Sequence, residues 1–141
     1  AALGAEIRGA DLSRPLSPGA VKTVHDAWLE HLVLLFRGQT LTEDQLIDFS
    51  RNFGDLEFPP TRLLNLKNRI DQKCEIPPEI NVISNVKEDG KPIGQLGAGA
   101  AAWHTDSSVV ESPPKASILY SLEVPPGAGN TAFLNMHAVY E

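Results

Sequence analysis

Gly97-Ala98-Gly99-Ala100-Ala101-Ala102-Trp103-His104-Thr105-Asp106-Ser107-Ser108 sets a histidine and a carboxylate two residues apart, behind a tryptophan and a run of small residues. An extended segment sends residues i and i+2 to the same side, so one imidazole and one carboxylate can meet one metal ion from adjacent directions. They supply two legs of a three-legged site. Two histidines and one carboxylate on one face of an octahedron, with the other positions open, are the ligand set of non-haem Fe(II) oxygenases. The alternative reading of the same spacing is a turn aspartate beside a surface histidine.

Downstream the chain continues through Glu111-Ser112-Pro113-Pro114 into Ala116-Ser117-Ile118-Leu119-Tyr120 and then Pro125-Pro126-Gly127-Ala128-Gly129-Asn130-Thr131. Upstream stand Gly4-Ala5-Glu6-Ile7-Arg8-Gly9-Ala10-Asp11-Leu12, Leu34-Leu35-Phe36-Arg37-Gly38-Gln39 and Phe49-Ser50-Arg51-Asn52-Phe53-Gly54-Asp55-Leu56. Four blocks in this order resemble the taurine dioxygenase family of Fe(II)- and 2-oxoglutarate-dependent oxygenases, in which a Trp-His-x-Asp is followed by a Pro-Pro, a strand and a Gly-Gly-Asp-Thr. The resemblance implies a mainly β fold with helices, a double-stranded β-helix or jelly roll whose open mouth holds the metal. Residues 1–141 would form the amino-terminal portion of a single dioxygenase domain, so that the jelly roll is incomplete in this chain. The family's second metal histidine, and the arginine that pairs with the far carboxylate of 2-oxoglutarate, are then expected beyond Glu141. His137 falls too early to be that histidine and reads as a helix residue.

The same resemblance assigns roles. His104 and Asp106 become the metal ligands and catalytic residues, with the second ring nitrogen of His104 donating to an acceptor that fixes its tautomer. Thr131 matches the threonine whose hydroxyl contacts the 2-oxoglutarate carboxylate; read without the resemblance, it is equally a β-branched residue opening a strand. Trp103 either walls the pocket or packs in a core. Fe(II) is the implied cofactor, with 2-oxoglutarate and O2 as co-substrates. The implied reaction is hydroxylation of a small organic substrate, with 2-oxoglutarate leaving as succinate and CO2. Where the hydroxylated carbon carries a heteroatom, as in a sulfonate, a sulfate ester or an aryloxy acid, the product collapses with cleavage of that bond. Halogenating relatives lack the carboxylate, so the presence of Asp106 points to hydroxylation. Ala100, Ala101, Ala102 and Phe58-Pro59-Pro60 occupy places where the taurine enzyme itself carries polar residues and a histidine. A less polar or larger substrate than taurine is expected, with Asn85, Gln95 and Ser107 as candidates for orienting it.

Composition sets the outer bounds. A chain of 141 residues with 42% hydrophobic residues can bury a core as one domain. A formal charge of −6 argues mildly against nucleic-acid and anionic-membrane partners; the resemblance implies a small-molecule substrate, and the sequence leaves open whether the protein is a homo-oligomer. The single cysteine, Cys74, excludes an internal disulfide and suits a reducing compartment. With no secretory signal pattern and no apolar run of membrane-spanning length, a cytoplasmic location is expected. The chain begins without methionine and stops at Tyr140-Glu141 in what reads as the opening of a helix, the pattern of a fragment. With two ligands in place of three and an unpaired sheet edge, it is expected to be inactive and prone to aggregate by itself.

In chain order, Ala5 to Leu12 reads as a short strand and turn. Ser17 and Pro18 open a helix with Val21, Val24, Trp28 and Leu32 on one face, and its His25 and His31 lack a carboxylate at ligand spacing. Val33 to Phe36 is an apolar run of strand length. Thr42 and Gln45 form a capping box for a helix with a Leu46, Phe49 and Phe53 stripe, ended by Gly54. This helical decoration covers 17–54. The lid-like loop 57–78, locally basic through Arg62, Lys67, Arg69 and Lys73, reads as a functional lid or a disordered piece, and the loop 94–102 equally as a flexible linker or a mobile flap. Ile80 to Asn85, Ala116 to Val124 and Thr131 to Leu134 are expected strands, Asp89-Gly90 a hairpin turn, and Asn135 a helix start. The metal motif and its strands span 103–134. Sequence pattern alone reaches only an antiparallel β architecture with helices. The competing class is a catalytically inert jelly-roll binding domain in which His104 and Asp106 are structural; a cupin-like metal domain would cluster more His and Glu ligands in one motif.

Overall fold

The computed structural model describes residues 3–57, 76–92, 102–108, 110–127 and 129–141. They divide into two compact units, Ala1–Gly54 with Leu119–Glu141, and Asp55–Ile118.

In the first unit, strand β1 (Ala5–Ile7) pairs in parallel with β2 (Leu34–Phe36), with Ala5 opposite Leu34 and Ile7 opposite Phe36. A parallel pair needs a crossover, which helix α1 (Pro18–His31) provides. Ser17 starts α1 by accepting from the Ala20 amide at 3.2 Å, and Pro18 takes the first position, where no amide hydrogen is required. Leu32 was expected on the buried face. Instead it lies past the helix end at φ +66, its amide donating to the Trp28 carbonyl at 2.7 Å, and it is exposed. The left-handed residue turns the chain into β2.

Helix α2 (Glu43–Arg51) begins with the reciprocal box: Gln45 N–H donates to Thr42 Oγ1 at 3.2 Å, and Thr42 N–H to Gln45 Oε1 at 2.8 Å. Ile47 and Phe49 are its buried residues, whereas Leu46 is half-buried. The helix stops at Arg51 and Asn52, short of Gly54, so Phe53 extends the apolar stripe from outside it. Phe49 sits edge-on to Phe36 at 5.6 Å and to Phe53 at 5.3 Å, and Phe53 meets Trp28 at 6.4 Å. His25 stacks edge-on to Trp28 at 5.7 Å, which gives it a packing role. This cluster joins both helices to the strand pair, and with Leu12 and Val24 it is the core. Phe49→Ala is expected to lower stability by about 3–4 kcal/mol, because it removes the ring shared by two partners and leaves a cavity. Urea denaturation should show a lower midpoint with an unchanged slope; a loss below about 1 kcal/mol would place the core elsewhere.

Side-chain amides hold the loop between β1 and α1. Gln39 Oε1 accepts from the Leu12 amide at 3.0 Å while its Nε2 donates to the Ala10 carbonyl at 3.0 Å, and Gln45 Nε2 donates to the Ser13 carbonyl at 3.1 Å. The Leu41 amide donates to the Tyr120 hydroxyl at 2.9 Å, which ties the carboxy-terminal part of this unit to the residue before the α2 cap. A five-residue helix, α3 (Met136–Tyr140), starts at Asn135 as expected, its side chain accepting from the His137 and Ala138 amides. His137 lies within it.

The second unit contains a hairpin, β3 (Lys87–Glu88) and β4 (Lys91–Pro92), antiparallel with Glu88 opposite Lys91. Asp89 at φ +49 and Gly90 at φ +77 make the turn with both central residues left-handed, as the Asp-Gly pair requires.

The expected strands at Ile80–Asn85, Ala116–Val124 and Thr131–Leu134 are irregular, and the described residues hold three helices and four strands of two or three residues each. The mainly β expectation is therefore corrected for the described residues, which are partly helical with few strands. A strand exists only with a ladder partner, and among the described residues these segments have none. Their apolar side chains stay in solvent: Leu122 is 86% exposed, and Leu119, Val124, Phe133 and Leu134 are also exposed. Most of the loop 57–78, and the loop 94–102 apart from Ala102, lie outside the described residues. No described helix is long and apolar enough to cross a membrane.

Candidate metal centre

His104 and Asp106 belong to the second unit, on an irregular stretch that bends at Trp103 and turns through Asp106, Ser107 and Ser108. The expectation that residues two apart point together is met, though by a turn and not by a sheet strand. His104 Nε2 stands 3.1 Å from Asp106 Oδ1. Both side chains are open to solvent, 60% and 67% exposed.

The other ring nitrogen decides what this pair can do. His104 Nδ1 lies 2.7 Å from the Ala102 carbonyl oxygen. A carbonyl only accepts, so Nδ1 carries the hydrogen and the neutral ring presents the Nε2 lone pair toward Asp106. A lone pair facing a carboxylate at 3.1 Å is repulsive unless something positive lies between them. That something is a second proton or a metal cation. The Ala102 carbonyl first, and the Asp106 carboxylate second, raise the His104 pKa above its ordinary 6.5, so both favour the protonated ring.

The donors also fit a divalent ion. Two adjacent octahedral positions with ligands at about 2.1 Å leave their donor atoms about 3.0 Å apart. Nε2 and Oδ1 sit at nearly that separation, and the Nδ1 bond supplies the outer support that orients a ligating histidine. Among the described residues no group of three or more His, Cys, Asp and Glu side chains converges on a metal position.

Thr131 is exposed and belongs to the first unit. Asn85 is exposed in the irregular stretch before the hairpin, where the neighbouring Ser84 hydroxyl accepts from the Val86 amide at 3.0 Å. Ser107 is half-buried and adjoins Asp106, and Gln95 lies outside the described residues. Trp103 is 69% exposed, which removes the core reading. A described cleft of about 270 Å³ lies in the first unit among Leu12, Pro15, Phe49 and Arg51, and contains none of these residues. Sequence reasoning missed the left-handed backbone of Ser107, at φ +53, because serine carries no signal for it.

Comparison with known proteins covers the whole chain. The family model described as "Taurine catabolism dioxygenase TauD, TfdA family" matches residues 1–141. An alpha-ketoglutarate-dependent 2,4-dichlorophenoxyacetate dioxygenase from Burkholderia sp. (strain RASC) is 35% identical over 137 residues, 92% of this chain and 44% of its own. An alpha-ketoglutarate-dependent sulfate ester dioxygenase from Pseudomonas putida is 34% identical over 140 residues, 99% of this chain and 40% of its own. The chain thus spans less than half the length of these relatives. Among solved structures, a taurine dioxygenase from Burkholderia xenovorans aligns with a TM-score of 0.38 at 44% identity, over 39% of this chain and 20% of that one.

Proposed function

We propose, because this chain belongs to the taurine catabolism dioxygenase TauD, TfdA family, that it carries the first two metal ligands of an Fe(II)- and 2-oxoglutarate-dependent dioxygenase folded as a jelly roll. The observation that carries the reading is the His104 Nε2 to Asp106 Oδ1 separation of 3.1 Å, with Nδ1 already committed to the Ala102 carbonyl. When bound, Fe(II) with 2-oxoglutarate and O2 supplies the oxidising equivalents for C–H hydroxylation, and 2-oxoglutarate leaves as succinate and CO2. The chain's own residues position and tune. His104 offers a lone pair of fixed tautomer. Asp106 offers an anionic oxygen that partly neutralises the cation. Thr131 is assigned to the 2-oxoglutarate carboxylate, which its hydroxyl suits as a donor. The exposed indole of Trp103 supplies an apolar surface beside the metal pair, where exclusion of water protects a reactive centre.

For the substrate we favour an aryloxy acid or a sulfate ester, the classes that the names of the two relatives above carry. Both place an ether-type oxygen on the carbon to be hydroxylated, so hydroxylation yields a hemiacetal-type product that loses the phenol or sulfate. Ala102, immediately before Trp103, offers no hydrogen bond from its side chain to a sulfonate or amine, and this argues against taurine. Asn85, Gln95 and Ser107 are assigned to substrate orientation.

The test is anaerobic addition of Fe(II) and 2-oxoglutarate to the natural full-length protein. A weak visible charge-transfer band is expected, and its loss in His104→Ala and Asp106→Ala assigns the ligands. A native protein that binds no metal and gives no band would transfer the assignment to an inert binding domain.

A further inference from the structure

Strands β1 and β2 end on the same dipeptide. Ile7 is followed by Arg8-Gly9, and Phe36 by Arg37-Gly38. Ile7 stands opposite Phe36 in the parallel register, so the next pair in that register is Arg8 and Arg37. Both glycines are left-handed, at φ +76 and +66, and the chain bends at each, immediately past the arginine. A Cβ at either glycine would meet no heavy atom within 4 Å, so no described group crowds the two exits.

Like charges set opposite each other on neighbouring strands repel. Glu6 relieves part of that repulsion: its Oε1 accepts from Arg8 Nε at 3.1 Å and its Oε2 from Arg37 Nε at 3.4 Å. One carboxylate is thereby divided between two guanidiniums, and no other carboxylate among the described residues pairs with either. Each arginine is engaged through Nε alone, so the Nη groups of both have no partner among the described residues, and both side chains are open to solvent. The cluster keeps one uncompensated positive charge, and its free donors are planar forks that match an oxyanion. Carboxyl ends of parallel strands joined by a helical crossover are also where α/β units take their ligands. Because Glu6 already orients the guanidiniums, an incoming anion does not have to assemble them.

We propose that Arg8 and Arg37, held together by Glu6, form an oxyanion site at the carboxyl ends of β1 and β2, which takes a sulfate or carboxylate group between their free Nη atoms. The site belongs to the first unit and draws on neither His104 nor Asp106, so it stands apart from the metal reading.

The experiment is titration of the natural full-length protein with sodium sulfate and, separately, with sodium succinate, each against sodium chloride at equal ionic strength, read on the arginine Nε–Hε signals in proton–nitrogen NMR spectra. The signals of Arg8 and Arg37 are assigned by their loss in Arg8→Lys and Arg37→Lys. Both should move along one saturable curve with a Kd on the order of 10 mM, weak as exposed ion contacts are. Sulfate should bind more tightly than succinate, because its charge is compact enough to meet both forks at once. Arg8→Gln should weaken sulfate binding, followed at Arg37, about fivefold, and Arg37→Gln should do the same when binding is followed at Arg8. Saturation by succinate alone would keep the site and assign it to carboxylates. Shifts no larger than those in chloride would overturn the proposal and leave the cluster as a surface ion pair. So would a Kd at Arg37 that Arg8→Gln leaves unchanged, since the two guanidiniums would then not share one anion.

Discussion

Asp106→Ala is expected to lower succinate formation by the full-length protein by at least about a thousandfold, equivalent to about 4 kcal/mol of lost transition-state stabilisation, with little change in the unfolding midpoint. The two halves of this expectation come from one observation. The carboxylate and imidazole are 67% and 60% exposed, and an ion pair so open to solvent contributes little to stability. Asp106 has no other partner among the described residues, so its removal leaves no orphaned group behind. On the proposed metal reading its anionic oxygen is nevertheless one of the two donors that the described residues supply. Removing it leaves the cation on a single described ligand, which cannot fix the geometry on which 2-oxoglutarate and O2 depend. Asp106→Glu keeps the charge but moves the oxygen by one methylene; it should recover metal binding better than turnover. Coupled measurement of succinate release, bound metal and thermal unfolding separates these effects. Activity retained within about tenfold in Asp106→Ala would show that the carboxylate is not a ligand.

How far the sequence could be read depends on whether a feature is local. Ser17 and Pro18, the Thr42 and Gln45 box, Asn135 and the Asp89-Gly90 turn each satisfy backbone groups within four residues, and each forms where its residues predict. The i, i+2 convergence of His104 and Asp106 is local in the same sense. The apolar runs at 80–85, 116–124 and 131–134 failed as strands because β structure belongs to a pair of segments, and alternation in one segment does not reveal whether its partner is present. Tyr120 illustrates the same limit. Its hydroxyl accepts from Leu41, 79 positions away in sequence, and no pattern around either residue announces that bond. Ser107 is a different case: its positive φ in the turn at 106–108 breaks the propensity rule, so propensity reasoning passes over it. Helix ends were read less accurately than helix starts, because Leu32 closes α1 with a left-handed turn for which leucine gives no warning.

Metal affinity should depend steeply on pH, and the sign follows from the raised pKa of His104. His104 must give up its Nε2 proton to bind a cation, and the Ala102 carbonyl together with the Asp106 carboxylate holds that proton more firmly than in a free histidine. Below the raised pKa, apparent Co(II) affinity should fall about tenfold for each pH unit, since one proton is displaced per ion bound; above it, affinity should level off. The turning point must lie above 6.5, the ordinary value for the ring. Folding responds in the opposite sense. A raised histidine pKa contributes stability that is fully present below the unfolded-state value and is lost as pH rises through the folded-state value. Exposure keeps that contribution small, so acid should weaken metal binding without unfolding the chain. Histidine NMR titration of the metal-free protein checks the first step, with His104 expected to titrate above 6.5. Asp106→Asn should lower that midpoint only in part, because the Ala102 bond is the larger cause and survives the substitution. Co(II) titrations between about pH 5.5 and 8 check the second, this being the range in which histidine changes charge. A flat affinity profile, or a His104 midpoint at or below 6.5, would mean that no proton stands between Nε2 and Oδ1 for a metal ion to replace.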